Sequence, residues 1–127
     1  MDNKTLQQRK ERAFARGQGT LTSVYIERAD NAELWDIEGK RYIDLGSGIA
    51  VLNTGHNHPK VRAAVEAQLD KFNHTCLTVT PYTSAVQLAE KLNVLAPGES
   101  PKESMFVTTG AEAVESAVKS ARAYAGR

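Results

Sequence analysis

Residues Phe106 to Arg122 read FVTTGAEAVESAVKSAR. Met105, Phe106 and Val107 are apolar, Thr108-Thr109-Gly110-Ala111 are small, and Val114, Ala117, Val118 and Ala121 then recur at helical spacing. That is a short buried strand, a tight turn and a helix. The first N–H groups of a helix have no partner inside it and carry the positive end of its dipole. A phosphate fits such a place. Gly110 and Ala111 let a ligand approach the backbone, and the hydroxyls of Thr108 and Thr109 could add donors. The same residues also read as an ordinary strand-to-helix turn, with a Thr cap and Glu112 as the acid of a capping box. Both readings stand on spacing alone. No Gly-Lys-Ser/Thr follows, and the three-glycine dinucleotide spacing is absent.

Other residues invite chemistry less strongly. His56, His58 and His74 lie near the only cysteine, Cys76. No cysteine pair supports a zinc site, and loop histidines more commonly bond backbone or cap helices. Cys76 has His74 two residues away, but nothing orients such a pair, so a half-buried structural cysteine is expected. Ile49-Ala50-Val51-Leu52 lies between glycines, as a wall of a ligand pocket or as packing against neighbouring strands.

These residues need elements to position them. Residues 4–16 should form a helix, stopped by Gly17 and Gly19. Val24–Ile26, Leu34–Ile37 and Tyr42–Ile43, separated by RADNAE and IEGK, predict a three-stranded antiparallel meander. Gly46 to Pro59 is a glycine-punctuated loop. Pro59 then starts a helix over 59–72, with Val61, Ala64, Val65, Leu69 and Phe72 on one face. Thr83 or Ser84 caps a further helix, with Val86, Leu88, Ala89, Leu92 and Leu95 on its apolar side. Strands that alternate with helices imply a parallel sheet. Only one such strand, Met105–Val107, is visible, so the back of the chain reads as the opening of an α/β domain.

Composition narrows the class. The 127 residues are 41% hydrophobic and 24% charged, with a net charge of +1. That is ordinary for a globular domain and lacks the basic block of a nucleic-acid surface. No apolar run approaches a membrane span. The polar start, MDNKTLQQRKERAFARG, is not a secretory signal, and Asp2, Glu11 and the lack of Ser argue against a transit peptide. A lone cysteine permits no internal disulfide, so a cytoplasmic home is expected.

Two stretches taken together, LWDIEGKRYIDLGSGIAVLNTGHNHPKV and VTTGAEAVESAVKSAR, resemble the class III pyridoxal-phosphate aminotransferases. GIAVLNTGH, AAVEAQL and HTC resemble the 4-aminobutyrate branch more than the acetylornithine or ornithine branch. The resemblance runs over nearly the whole chain. It implies the α/β architecture of fold-type I enzymes: a large domain on a mostly parallel sheet and a smaller domain built from both chain ends. They form a homodimer with active sites at the subunit interface. Residues 1–56 then belong to the small domain and 57–127 to the start of the large one.

The resemblance also implies roles. Gly110 and Ala111 donate backbone N–H groups to the phosphate of pyridoxal 5'-phosphate; Ala111 replaces the Ser of some relatives, so one hydroxyl contact is missing. Ile49 lines the substrate pocket. Thr78 lies in a loop of the same pocket, where close relatives often carry Gln, which leaves fine substrate preference open. The implied reaction moves the amino group of 4-aminobutyrate, or a similar ω-amino acid, to 2-oxoglutarate, giving succinate semialdehyde and glutamate. No nucleic acid or membrane takes part. The lysine that holds the cofactor as a Schiff base is expected beyond residue 127, and Lys119 is no substitute for it. The chain is therefore expected to be an N-terminal portion, inactive alone. A free-standing phosphate-binding or partner-associating module, and an inert remnant, are the alternatives.

Overall fold

Asn31 and Gly39 set the geometry of the front of the chain. Each has a positive φ, +46° at Asn31 and +80° at Gly39, which Asn and Gly tolerate best. They turn three short strands into an antiparallel meander: β1 (Ile26–Asp30), β2 (Glu33–Asp36) and β3 (Arg41–Ile43), in the order β1-β2-β3. The pairing runs Asp30↔Glu33, Ala29↔Leu34 and Arg28↔Trp35, then a bulge before Ile26↔Asp36. On the other side Glu33 faces Ile43, Leu34 faces Tyr42 and Trp35 faces Arg41. One facing pair and one diagonal pair also interact through their side chains. The Arg28 guanidinium stacks on Trp35, 3.4 Å from the ring centroid, and Arg41 pairs with Glu33. The three predicted strands are present. The first lies later than Val24, because the two-residue turn at Asn31-Ala32 lets RAD join the ladder.

The structure, a computed structural model, describes residues 1–126. It divides into two units, Met1–Asn73 and His74–Arg127. In the first, helix α1 (Asn3–Ala13) starts from Asp2, whose side chain accepts the Thr5 N–H at 2.6 Å. It ends at Ala13, with Phe14 extended, so Gly17 and Gly19 do not stop it as expected. A helix this polar buries no residue, and so gains little packing from further turns. Asn3 ties it to the sheet: its Nδ2 donates to Asp36 Oδ2 at 3.0 Å and its Oδ1 accepts the Tyr25 N–H at 2.8 Å.

Asp36, 3% exposed, is the one buried residue among the described residues. Its Oδ1 accepts the N–H groups of Glu38 and Lys40, and its Oδ2 accepts from Asn3 and the Tyr42 hydroxyl. Burial pushes its carboxyl up, but these hydrogen bonds outweigh burial and hold it below the usual carboxylate range. A polar hub, not an apolar core, therefore organises this unit. The single turn α2 (Ser47–Ala50) follows. Helix α3 (Pro59–Leu69) then begins at Pro59 as predicted and ends at Leu69, short of Phe72. Lys71 N–H bonds Gln68 O at 3.0 Å, which tightens the chain out of the helix.

The second unit holds α4 (Thr83–Leu95) and α5 (Gly110–Ala125). Neither Thr83 nor Ser84 caps α4. Both lie inside the helix, and Tyr82 occupies the cap position with no side-chain capping hydrogen bond. Met105, Phe106 and Val107 form no strand, and each is exposed rather than buried. A strand exists only by pairing, and all three strands among the described residues belong to the meander. The apolar faces of the helices are open as well: Val61, Val65 and Leu69 of α3, Val86 and Leu92 of α4, and Val114 and Val118 of α5 are all exposed. No helix among the described residues is long and apolar enough to cross a membrane.

Candidate functional site

Helix α5 begins with a complete capping box. Thr109 is the N-cap; its Oγ1 accepts the Glu112 N–H at 3.2 Å, and Glu112 Oε2 accepts the N–H groups of Thr109 and Thr108 at 3.0 and 2.8 Å. The Ala113 N–H bonds Thr109 O at 3.1 Å. Among the described residues this leaves the N–H groups of Gly110 and Ala111 without a partner in the chain. They sit at the positive end of a helix of 16 residues. A Cβ built on Gly110 meets nothing within 4 Å, so the helix start is open on that side within this chain. The two readings of this stretch are compatible. The turn is capped as the ordinary reading requires, and the cap leaves two donors for an anion. These residues fit a phosphate group.

Ile49 stands on a different kind of backbone. Ser47, Gly48, Ile49 and Ala50 have φ values of 45°, 62°, 63° and 61°, four left-handed residues in a row. A non-glycine residue costs about 1–2 kcal/mol in that region, and a β-branched one is a true outlier there. Hydrogen bonds close the turn: Ile49 and Ala50 N–H to Gly46 O at 2.8 and 3.0 Å, and Val51 and Leu52 N–H to Ser47 O at 2.9 and 3.1 Å. The result presents Ile49 92% exposed. Packing of Ile49 against the meander is therefore excluded within this chain, and the residue is available as a wall.

Asp44 and His56 bracket this turn. Asp44 Oδ1 accepts the Gly46 and Ser47 N–H groups at 3.0 and 2.8 Å, and Oδ2 meets His56 Nε2 at 2.8 Å. The bond to His56, with those from Ser47 and Gly46, holds the Asp44 carboxyl below its ordinary range despite partial burial. His56 exchanges two backbone bonds with Asn31, at 2.8 and 3.0 Å. Its side chain thus bonds a carboxylate, not the backbone or helix end expected of a loop histidine. No group of His, Cys, Asp and Glu among the described residues could hold a metal. Sequence reasoning missed Asp44. An Asx-turn signal was present in Asp44-Leu45-Gly46-Ser47, an Asp two and three residues before the amides it accepts.

Thr78 lies in the turn after Cys76, its hydroxyl 3.3 Å from the thiol. Cys76 is exposed, which corrects the half-buried expectation: it sits in a surface turn closed by Val79 N–H to Cys76 O. The Thr78 hydroxyl draws the thiol below its usual range, and Thr78, not His74, is the partner recorded for it. Ile49 belongs to the first unit, and Thr78, Gly110 and Ala111 to the second. An apolar groove of about 510 Å³ along α3 is lined by Val61, Ala64, Val65, Leu69 and Phe72. It is the uncovered face of that helix. One polar atom beside it, His58 Nδ1, is buried without a partner.

The aminotransferase class-III family model matches residues 13–127. The chain is 52% identical over 125 residues to 4-aminobutyrate aminotransferase GabT of Escherichia coli, covering 98% of this chain and 29% of the relative. It is equally identical, over the same shares, to 5-aminovalerate aminotransferase DavT of Pseudomonas aeruginosa. Taurine:2-oxoglutarate aminotransferase of Bifidobacterium kashiwanohense, solved in complex with PLP and glutamate, superposes with a TM-score of 0.85 at 25% identity. That superposition covers 100% of this chain and 29% of the other. The chain thus spans under a third of the length of these relatives.

Proposed function

The chain belongs to the class III aminotransferases, and from that membership we propose that it supplies the N-terminal part of a pyridoxal 5'-phosphate enzyme. That enzyme moves the amino group of 4-aminobutyrate, or a similar ω-amino acid, to 2-oxoglutarate, giving succinate semialdehyde and glutamate. It works in the cytoplasm as a homodimer. Residues 1–56 go to its small domain and 57–127 to its large one. The bound cofactor supplies an electron sink and carries the amino group between the two substrates.

One observation carries this reading: Gly110 and Ala111 offer two N–H groups unpartnered among the described residues, at the start of a 16-residue helix, with room for a Cβ at Gly110. Their part is to bind and orient the phosphate. The capping box leaves these two donors fixed by the helix they begin, so no ordering is needed on binding. Ile49 and Thr78 are assigned to the pocket wall. The exposed Ile49 offers an apolar surface that suits the methylene chain of an ω-amino acid and excludes water from it. The lysine that holds the cofactor is assigned to the part of the relatives' length beyond this chain. The 127 residues alone are accordingly inactive and marginal in stability, with most apolar helix faces uncovered. A 5-aminovalerate donor is the second reading, favoured by the equal identity to the 5-aminovalerate enzyme.

The test is Gly110→Val in an enzyme of family length that carries these residues. Nothing in this chain lies within 4 Å of the added Cβ, and circular dichroism of the variant checks that the fold is kept. The added side chain crowds the helix start beside the donors. Losing one hydrogen bond to a charged group costs about 1.5–3 kcal/mol, so the cofactor's Kd should rise about tenfold or more. An unchanged Kd contradicts the assignment. Glutamate formed from 4-aminobutyrate and 2-oxoglutarate by the 127-residue chain alone contradicts its inactivity.

A further inference from the structure

The left-handed turn at Ser47–Ala50 is strained, and strain persists only where surrounding structure over-determines it. Residues 44 and 56, the ends of the loop that contains it, are both fixed to one point of the meander. Asp44 N–H bonds Ala32 O at 2.9 Å, and His56 exchanges two backbone bonds with Asn31. Their side chains then meet at 2.8 Å, Asp44 at 12% and His56 at 22% side-chain exposure. From its other carboxylate oxygen Asp44 reaches the two amides that enter the turn, those of Gly46 and Ser47. Asn57 Nδ2 adds a bond to Ala29 O at 2.7 Å. Apart from the Ser47 N–H, every one of these contacts lies outside residues 47–50, and none touches the Ile49 side chain.

We propose that Asp44 and His56 form a clasp that holds the turn in its left-handed form, making them positioning residues that set where Ile49 presents its side chain to substrate. The link to substrate rests on the functional reading above; the link to the turn does not. Asp44 acts on the turn by accepting its two leading amides, and His56 acts by holding the carboxylate in place. Without the clasp, Ser47, Ile49 and Ala50 relax toward right-handed conformations, and the bonds to Gly46 O and Ser47 O open.

The experiment has two arms. In the 127-residue chain, amide hydrogen exchange is measured at Ile49, Ala50, Val51 and Leu52, whose N–H groups close the turn. They should be protected in the native chain and exchange at least about tenfold faster in Asp44→Ala and His56→Ala. His56→Gln retains an N–H donor and should restore protection. Amides of the β1–β2 ladder report whether the sheet survives. If Asp44→Ala loses the sheet, His56→Ala decides, because it keeps the Asp44 carboxylate that accepts both amides. Unprotected native amides, or protection unchanged in both alanine variants, overturns the clasp.

The second arm uses an enzyme of family length carrying these residues. His56→Ala should raise KM for 4-aminobutyrate about tenfold, the scale of a lost apolar pocket contact, with kcat little changed and His56→Gln near native. Faster exchange with an unchanged KM overturns the link to Ile49. If the native enzyme shows no amino transfer from any ω-amino acid, the functional reading fails, and the exchange arm still decides the clasp.

Discussion

Gly55 and Gly39 form a matched pair that isolates one contact. Both have left-handed φ, +77° and +80°. A Cβ on Gly39 meets nothing within 4 Å, whereas one on Gly55 would lie 2.7 Å from Asn31 Oδ1 and 3.1 Å from Asn31 Cα and O. Gly39→Ala should therefore cost only the left-handed strain, about 1–2 kcal/mol. Gly55→Ala carries the same strain and must also push Asn31 away from His56. The two bonds of that bridge contribute about 0.5–1.5 kcal/mol each, so the total should reach about 2–5 kcal/mol. Trp35, the only tryptophan, lies on β2 and reports unfolding of the first unit by fluorescence. The assay is a urea midpoint or, if the variant is unfolded in buffer, the osmolyte concentration that folds it. Equal effects of the two substitutions would refute the argument, since the bridge would then give way without cost.

Two further outcomes follow from the same geometry. Thr109→Ala removes the acceptor for the Glu112 N–H and should destabilise α5 by about 0.5–2 kcal/mol, read as lost helicity in circular dichroism; an unchanged signal would mean the cap is redundant. The Asp44 carboxyl is held low in the folded chain, so its contribution is complete above its unfolded value of about 3.9 and is lost as pH falls through the folded value. Amide protection of residues 49–52 should accordingly fall below about pH 4. Asp44→Asn should remove that dependence, and an identical acid response in the variant would count against Asp44 as its origin.

Much of this was legible because it rests on local chemistry. Asn31 and Gly39 mark the turns of the meander, Pro59 marks the start of α3, and Thr109 with Glu112 marks the start of α5. What failed depends on contacts that distant residues must supply. Met105–Val107 has the composition of a strand but no partner strand among the described residues, and residues 70–72 have helical spacing but the Lys71 N–H bond to Gln68 O tightens the chain out of the helix. Cys76 is expected half buried because cysteine usually is, yet its surface turn leaves it exposed. The left-handed turn was the least readable feature. Only Gly48 among its four residues favours a positive φ, so the other three are held by Asp44 and His56, and the backbone bridge to Asn31 joins residues far apart in sequence. At the candidate site, small residues at a helix start gave the anion reading directly. The assignment of Ile49 came from family resemblance, and the structure adds that the residue is exposed.

The most direct test of the central claim is a nitrogen-resolved amide titration of the 127-residue chain with pyridoxal 5'-phosphate. The N–H signals of Gly110 and Ala111 should move downfield saturably, as expected for donors to a phosphate at a helix start. Those of Thr108 and Thr109, already bonded to Glu112, should move least. Saturable shifts that leave Gly110 and Ala111 unmoved would contradict the account.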